Sequence, residues 1–220
     1  MHNKETISKR IIMSILILAM GFISTRSYAV SNAAGSYPIN EKIKTLYNEN
    51  KKNRKNNTNG KFDDIKEFKP IYNIKMPINH QKYLYYLTTN RGLNYKKTLA
   101  ILKHESQFNA NEINGNDYGY MQINKGNHKG LSKTLNTPNT PLNPYVNLFW
   151  GTYMLRNLYD TWEKEGISNE SIEGSAFTKL DRYVLSSYNK GVAGFKKNGE
   201  ATNYINNVET ELYKINEMLR

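Results

Sequence analysis

The chain has 220 residues, a formal charge of +12 and no cysteine. That length holds one ordinary domain and some tail. The missing cysteines exclude disulfides, a thiol nucleophile, a cysteine-based zinc site and a lipid-bearing N-terminal cysteine. Apolar residues make up 38% and aromatics 12%, with 17 tyrosines, enough for a packed core rather than a disordered chain.

The N-terminus reads as an export signal. Lys4, Lys9 and Arg10 precede an apolar run over residues 11–23, which is short for a bilayer span. Ser27-Tyr28-Ala29 then puts small residues where a signal peptidase reads them, so cleavage is expected after Ala29, with an uncleaved anchor as the alternative. Losing residues 1–29 removes four basic residues and one acid and leaves +9. A basic, secreted chain suits a polyanionic surface such as a bacterial cell wall and its anionic polymers. The lysines are spread along the chain and no nucleic-acid motif appears, so nucleic acid is not an expected partner.

Residues 48–61 read NENKKNRKNNTNGK and carry no apolar side chain, which predicts a linker. A short helix fits residues 36–47. Residues 62–77 contain Pro70 and Pro77 and predict an extended lead-in packing on the domain. Residues 30–77 are thus linker and lead-in, and the compact domain is expected over 78–220. A helix is expected over residues 81–89, with Tyr83, Leu84 and Leu87 at helical spacing and Arg91-Gly92 as the stop. Asn94 caps the next helix, which carries Tyr95, Leu99 and Leu102 on one face and ends near Glu105.

Asn and Gly dominate residues 109–127, which predicts loops with room for a short hairpin at 113–123. Asn143-Pro144 opens a third helix, with Val146, Phe149, Trp150, Tyr153 and Leu158 as its core stripe. Another helix is expected over 179–187. The last repeats apolar residues at Tyr204, Val208, Leu212, Ile215 and Leu219. No long period-2 pattern occurs, so the domain is mainly α, and a monomer is expected.

The stretch LKHESQF, residues 102–108, places His104 directly before Glu105. A zinc-protease helix needs a second histidine three residues after the glutamate, and that position is Phe108. His2, His80 and His128 have no ligand spacing to it, so no metal and no cofactor are expected. Gly-x-Ser-x-Gly and phosphate-loop patterns are also absent. By itself a glutamate near a helix end is an ordinary solvated side chain.

Four further stretches change that reading. They are Gly119-Tyr120-Met121-Gln122-Ile123, the helix from Asn143-Pro144 with Asn147 and Gly151, and Ser187-Tyr188-Asn189-Lys190-Gly191, followed by Tyr204-Ile205-Asn206-Asn207-Val208. In this order and with these gaps the chain, over residues 78–212, resembles the soluble lytic transglycosylase family. Its lysozyme-like domain reads Glu-Ser, Gly-Leu-Met-Gln-Ile, a helix with Asn-Pro and a glycine, Ala-Tyr-Asn-x-Gly, then Tyr-Val. Here Tyr120 replaces the usual Leu and Ser187 the usual Ala. Lys190 and Val192 replace a small residue and a proline.

The resemblance implies a mainly α, lysozyme-like α+β fold and cleavage of peptidoglycan glycan strands. Glu105 would protonate the oxygen between N-acetylmuramic acid and N-acetylglucosamine. It would then take the proton of the sugar's own C6 hydroxyl, closing a 1,6-anhydro ring. Ser106 would support the site, Met121 line its floor and Gln122 contact sugar or orient the loop. Tyr188 would hydrogen-bond the catalytic carboxyl and Asn189 shape the turn. Tyr118 and Tyr120 would stack on sugar or cover the hairpin. A goose-type-lysozyme-like hydrolase is the alternative, with Asp117 as the candidate second carboxylate. A glycan-binding protein that does not cut is the other.

Overall fold

A computed structural model describes residues 68–219; the expected signal peptide, linker and short helix lie outside them. Among the described residues the chain forms seven helices and one small sheet: α1 (Ile78–Asn90), α2 (Tyr95–Ser106), β1 (Ile113–Asn114), β2 (Asp117–Tyr118), β3 (Ile123–Asn124), α3 (Lys125–Thr134), α4 (Pro144–Lys164), α5 (Lys179–Lys190), α6 (Val192–Asn198) and α7 (Thr202–Met218). This is a mainly α fold. No helix among the described residues is long and apolar enough to cross a membrane.

Capping places the two central helices. The Asn94 side chain accepts from the Lys97 amide and starts α2, and Asn143 accepts from the amides of Tyr145 and Val146 ahead of Pro144 to start α4. In α2, residues 98–102 are all buried, and in α4 residues 145–152 are. A helix buried on every side runs through the core rather than over it. The expected α4 stripe is therefore only part of the contact: Leu155 is buried while Tyr153 and Leu158 are half-buried. Helix α5 begins at a capping box, in which the Thr178 side chain accepts from the Asp181 amide and the Asp181 carboxylate accepts from the Thr178 amide.

Several polar groups inside the core are paired. Gln81 is fully buried and holds the segment before α1: the Ile71 amide donates to its Oε1 at 2.9 Å, and its Nε2 donates to the carbonyls of Ile71 and Met76. Trp150 donates to Thr137 Oγ1 at 2.7 Å, and Trp162 to Ser187 Oγ at 2.9 Å. Ser187, a departure from the resembled pattern, thus supplies an acceptor that alanine could not. Lys97, Tyr159 and Thr178 converge on the Asp181 carboxylate and hold it below its usual range against the opposing effect of burial.

Two helices lie where none was expected. Helix α3 falls partly in the span read as loops and buries only His128 and Leu131, while α6 buries nothing. Gly126 and Gly130 in the one and the short length of the other hide the periodicity; contact with the rest of the fold holds them. The expected hairpin is a three-stranded antiparallel sheet in the order β1-β2-β3, pairing Asn114 with Asp117 and Asp117 with Asn124.

Candidate active site

Glu105 sits in the last turn of α2. Beyond it Gln107 and Phe108 both take left-handed backbone angles, with φ of 52° and 60°. A bulky residue rarely adopts that conformation, and burial of the Phe108 ring to 3% exposure holds it there. The reversal ends the helix directly after Glu105-Ser106 and sends the chain into the sheet.

The turn at residues 119–122 is held by three helices. From α2, Ser106 Oγ donates to the Tyr120 carbonyl at 2.9 Å. From α4, Asn147, itself fully buried, accepts from the Met121 amide at 2.9 Å and donates to the carbonyls of Tyr118 and Pro141. From α5, the Tyr188 hydroxyl donates to the Met121 carbonyl at 2.6 Å. Two glycines admit this approach. A Cβ on Gly119, whose φ is +75°, would lie 2.4 Å from Asn147 Nδ2, and one on Gly151 would lie 2.1 Å from Met121 Sδ. Gln122 turns its amide back onto the Gly119 carbonyl at 2.9 Å and so braces the loop.

These contacts correct several expectations. The donor to Glu105 is not Tyr188 but Tyr204 on α7, whose hydroxyl donates to Oε1 at 2.6 Å. Tyr188 has one hydroxyl proton and gives it to the Met121 carbonyl, because α5 carries the ring past the turn. Met121 and Ser106, expected to line the floor and to support the site, are 0% and 4% exposed; they position the turn rather than offering a sugar ring a surface. Tyr120 is 1% exposed and its hydroxyl pairs with His80 Nδ1, so it is core and not a stacking platform. Burial drops the His80 pKa to about 4, which keeps that ring neutral. Tyr118 is half-buried, its ring edge-on to His128. Asn189 lies exposed in the last turn of α5, and the turn itself falls at Gly191.

Burial raises the pKa of Glu105 to about 7; the Tyr204 hydrogen bond opposes this and the charge of Asp117 adds to it. Asp117 is oriented by Asn124 Nδ2 at 2.8 Å. His104 lies edge-on to Tyr204 at 4.9 Å and braces the phenol that holds the carboxyl. A carboxyl that is half protonated near neutrality and still partly exposed can both donate and accept a proton. No group of three or more His, Asp or Glu suited to holding a metal ion occurs among the described residues.

Asn147 and Tyr204 stand in the motifs, but the sequence does not mark them as site residues. For Asn147 the available signal is a polar amide within the apolar run of α4, where only a fully paired group is tolerated. For Tyr204 the period of α7 reads as core, and nothing in the sequence separates a packing phenol from a donating one.

A helical domain with a three-stranded sheet and one glutamate at the end of a central helix defines a lysozyme-like class. The transglycosylase SLT domain model matches residues 82–210, more than half of the chain, and the chain belongs to that family. The family's members are lytic transglycosylases, which supports an enzyme acting on peptidoglycan. Comparison with curated proteins found no match.

Proposed function

We propose that this protein is exported to the cell wall and cleaves the bond between N-acetylmuramic acid and N-acetylglucosamine without water, leaving a 1,6-anhydromuramoyl end. The observation that carries the reading is a carboxyl raised to about 7 whose Oε1 is taken by the Tyr204 hydroxyl. The other oxygen is left to carry the proton.

Protonated Glu105 donates to the glycosidic oxygen as the bond to C1 breaks. The C6 hydroxyl of the same muramoyl residue attacks C1, and the Glu105 carboxylate accepts its proton. Glu105 ends protonated, ready for the next bond. One carboxyl suffices because the nucleophile is tethered, so no water has to be held. Between the two proton transfers the Tyr204 hydroxyl stabilises the carboxylate through a charge-assisted hydrogen bond. Export rests on the charged and apolar N-terminal segment; N-terminal sequencing of the secreted protein tests it, with Val30 the expected first residue and Met1 the refuting one.

A hydrolytic reading is favoured by one observation, the charge of Asp117 acting on Glu105. A muramidase of that kind would use a second carboxylate to activate water. Mass spectrometry of the released muropeptides separates the two. Anhydro ends are expected; reducing ends would transfer the assignment to hydrolysis.

A further inference from the structure

Outside the site, the cationic face of α3 has no ion-pair partner among the described residues. Lys125, Lys129 and Lys133 stand four residues apart and form one stripe, roughly 12 Å long at 1.5 Å per residue. All three are exposed. Lys97, Arg156, Arg182, Lys196 and Lys214 are in ion pairs, but these three are in none among the described residues. From residue 118 to residue 159 the chain has no Asp or Glu at all. The opposite face of α3 is fixed inward by Leu131 and by His128, whose Nε2 meets the Ile123 carbonyl at 2.8 Å.

The stripe is joined to the candidate active site through one residue. Asn124 pairs with Asp117 across β2 and β3, donates to its carboxylate, and caps α3 with its own Oδ1. Lys125 follows it directly, its amide donating to the Asn116 carbonyl at 2.7 Å. A cationic row therefore begins one residue beyond the sheet that flanks Glu105.

We propose that Lys125, Lys129 and Lys133 bind the carboxylates of the peptide stems attached to the glycan strand being cut. The inference rests on the peptidoglycan-cleaving reading above. In peptide-bearing strands the lactyl carboxyl is used in an amide, so the acidic groups lie out on the stems and not on the sugar backbone. Lysines suit such groups. Each is a flexible point charge that follows a mobile carboxylate without demanding a planar fork. A stem is tethered to the strand being cut, so it meets the stripe at high local concentration. Stems therefore fit this position better than a separate anionic polymer.

The test replaces all three residues, Lys125→Gln, Lys129→Gln and Lys133→Gln, which keeps helix propensity and exposed surface. Pelleting and turnover are measured on peptide-bearing strands, on strands stripped by an amidase and left with the lactyl carboxylate alone, and on peptide-free strands carrying a phosphodiester wall polymer. On peptide-bearing strands at low salt the variant should show a KM raised about three- to thirtyfold with kcat unchanged. The difference should vanish as salt approaches 1 M, where screening acts within about 3 Å. On stripped strands variant and parent should agree, which also shows the variant folded. An unchanged KM on peptide-bearing strands, an equal loss on stripped strands, or a loss that follows the phosphodiester polymer would each overturn the proposal. A parent that pellets with strands but cuts none would refute the cleavage reading instead, and the pelleting comparison would still decide the stripe.

Discussion

The hydroxyl of Tyr204 lies 2.6 Å from Oε1 of Glu105, across 99 positions of chain. This bond lowers the Glu105 pKa while burial raises it, and the balance lies at about 7. Tyr204→Phe keeps the ring and removes the bond. The pKa of Glu105 should rise, so the limb on which activity falls with increasing pH should move to higher pH. The rate should drop about five- to a hundred-and-fifty-fold, or about 1–3 kcal/mol in the barrier. Tyr188→Phe should instead loosen the Met121 turn with no such displacement. pH–rate profiles of both variants check this, and a displaced limb in Tyr188→Phe alone would return the donor role to Tyr188.

Glu105→Gln should abolish wall lysis, because general acid catalysis of this kind contributes about a hundred- to ten-thousand-fold and an amide cannot supply it. It should also alter stability with a definite sign. The folded pKa of about 7 lies above the ordinary 4.5, so as pH rises the unfolded chain ionises first and the native state weakens between those values. Above pH 7 the wild type should therefore be less stable than Glu105→Gln, by on the order of 1–3 kcal/mol. At pH 4 the two should agree. Urea unfolding at both pH values measures the difference, and equal midpoints at the higher pH would contradict the raised pKa.

Asp117 raises the Glu105 pKa by its charge. Asp117→Asn keeps an acceptor for Asn124 and removes that charge. Glu105 should then ionise at lower pH, and the descending limb should move down while turnover at pH 5 is largely retained. Complete loss of turnover at every pH would make Asp117 a base and favour hydrolysis.

Gly151→Ala places a methyl 2.1 Å from Met121 Sδ and 2.8 Å from Met121 Cβ. Overpacking of this kind costs about 1–3 kcal/mol. Because Met121 belongs to the braced turn, activity should fall along with stability. Adding Met121→Ala should recover part of the stability lost to Gly151→Ala. A double-mutant cycle by urea unfolding gives the coupling, and strict additivity would show that the two residues do not share the space.

Much of the helical frame was legible because its signals are local. Asn94 and Asn143-Pro144 state where α2 and α4 begin, since a capping side chain reaches only two or three residues. The apolar period of α7 predicts Tyr204, Val208, Leu212 and Ile215 as its buried face. Helix α3 was not legible, because its buried face is one histidine and one leucine, and its ordering comes from β3 and the core.

For the site, the sequence alone determined the order Glu105, Gly119 to Ile123, Asn147, Gly151, Tyr188 and Tyr204, and with it the family and the candidate acid. It could not assign partners. Tyr188 and Tyr204 are both phenols on apolar helix faces, and sequence pattern describes them alike. Which one reaches the carboxyl depends on where α5 and α7 lie relative to the end of α2. That arrangement is set by packing among residues far apart in sequence, and there the tertiary structure gave Tyr204 to Glu105 and Tyr188 to the Met121 carbonyl. The raised pKa has the same origin, since desolvation of Glu105 comes from the surrounding fold and not from its sequence neighbours.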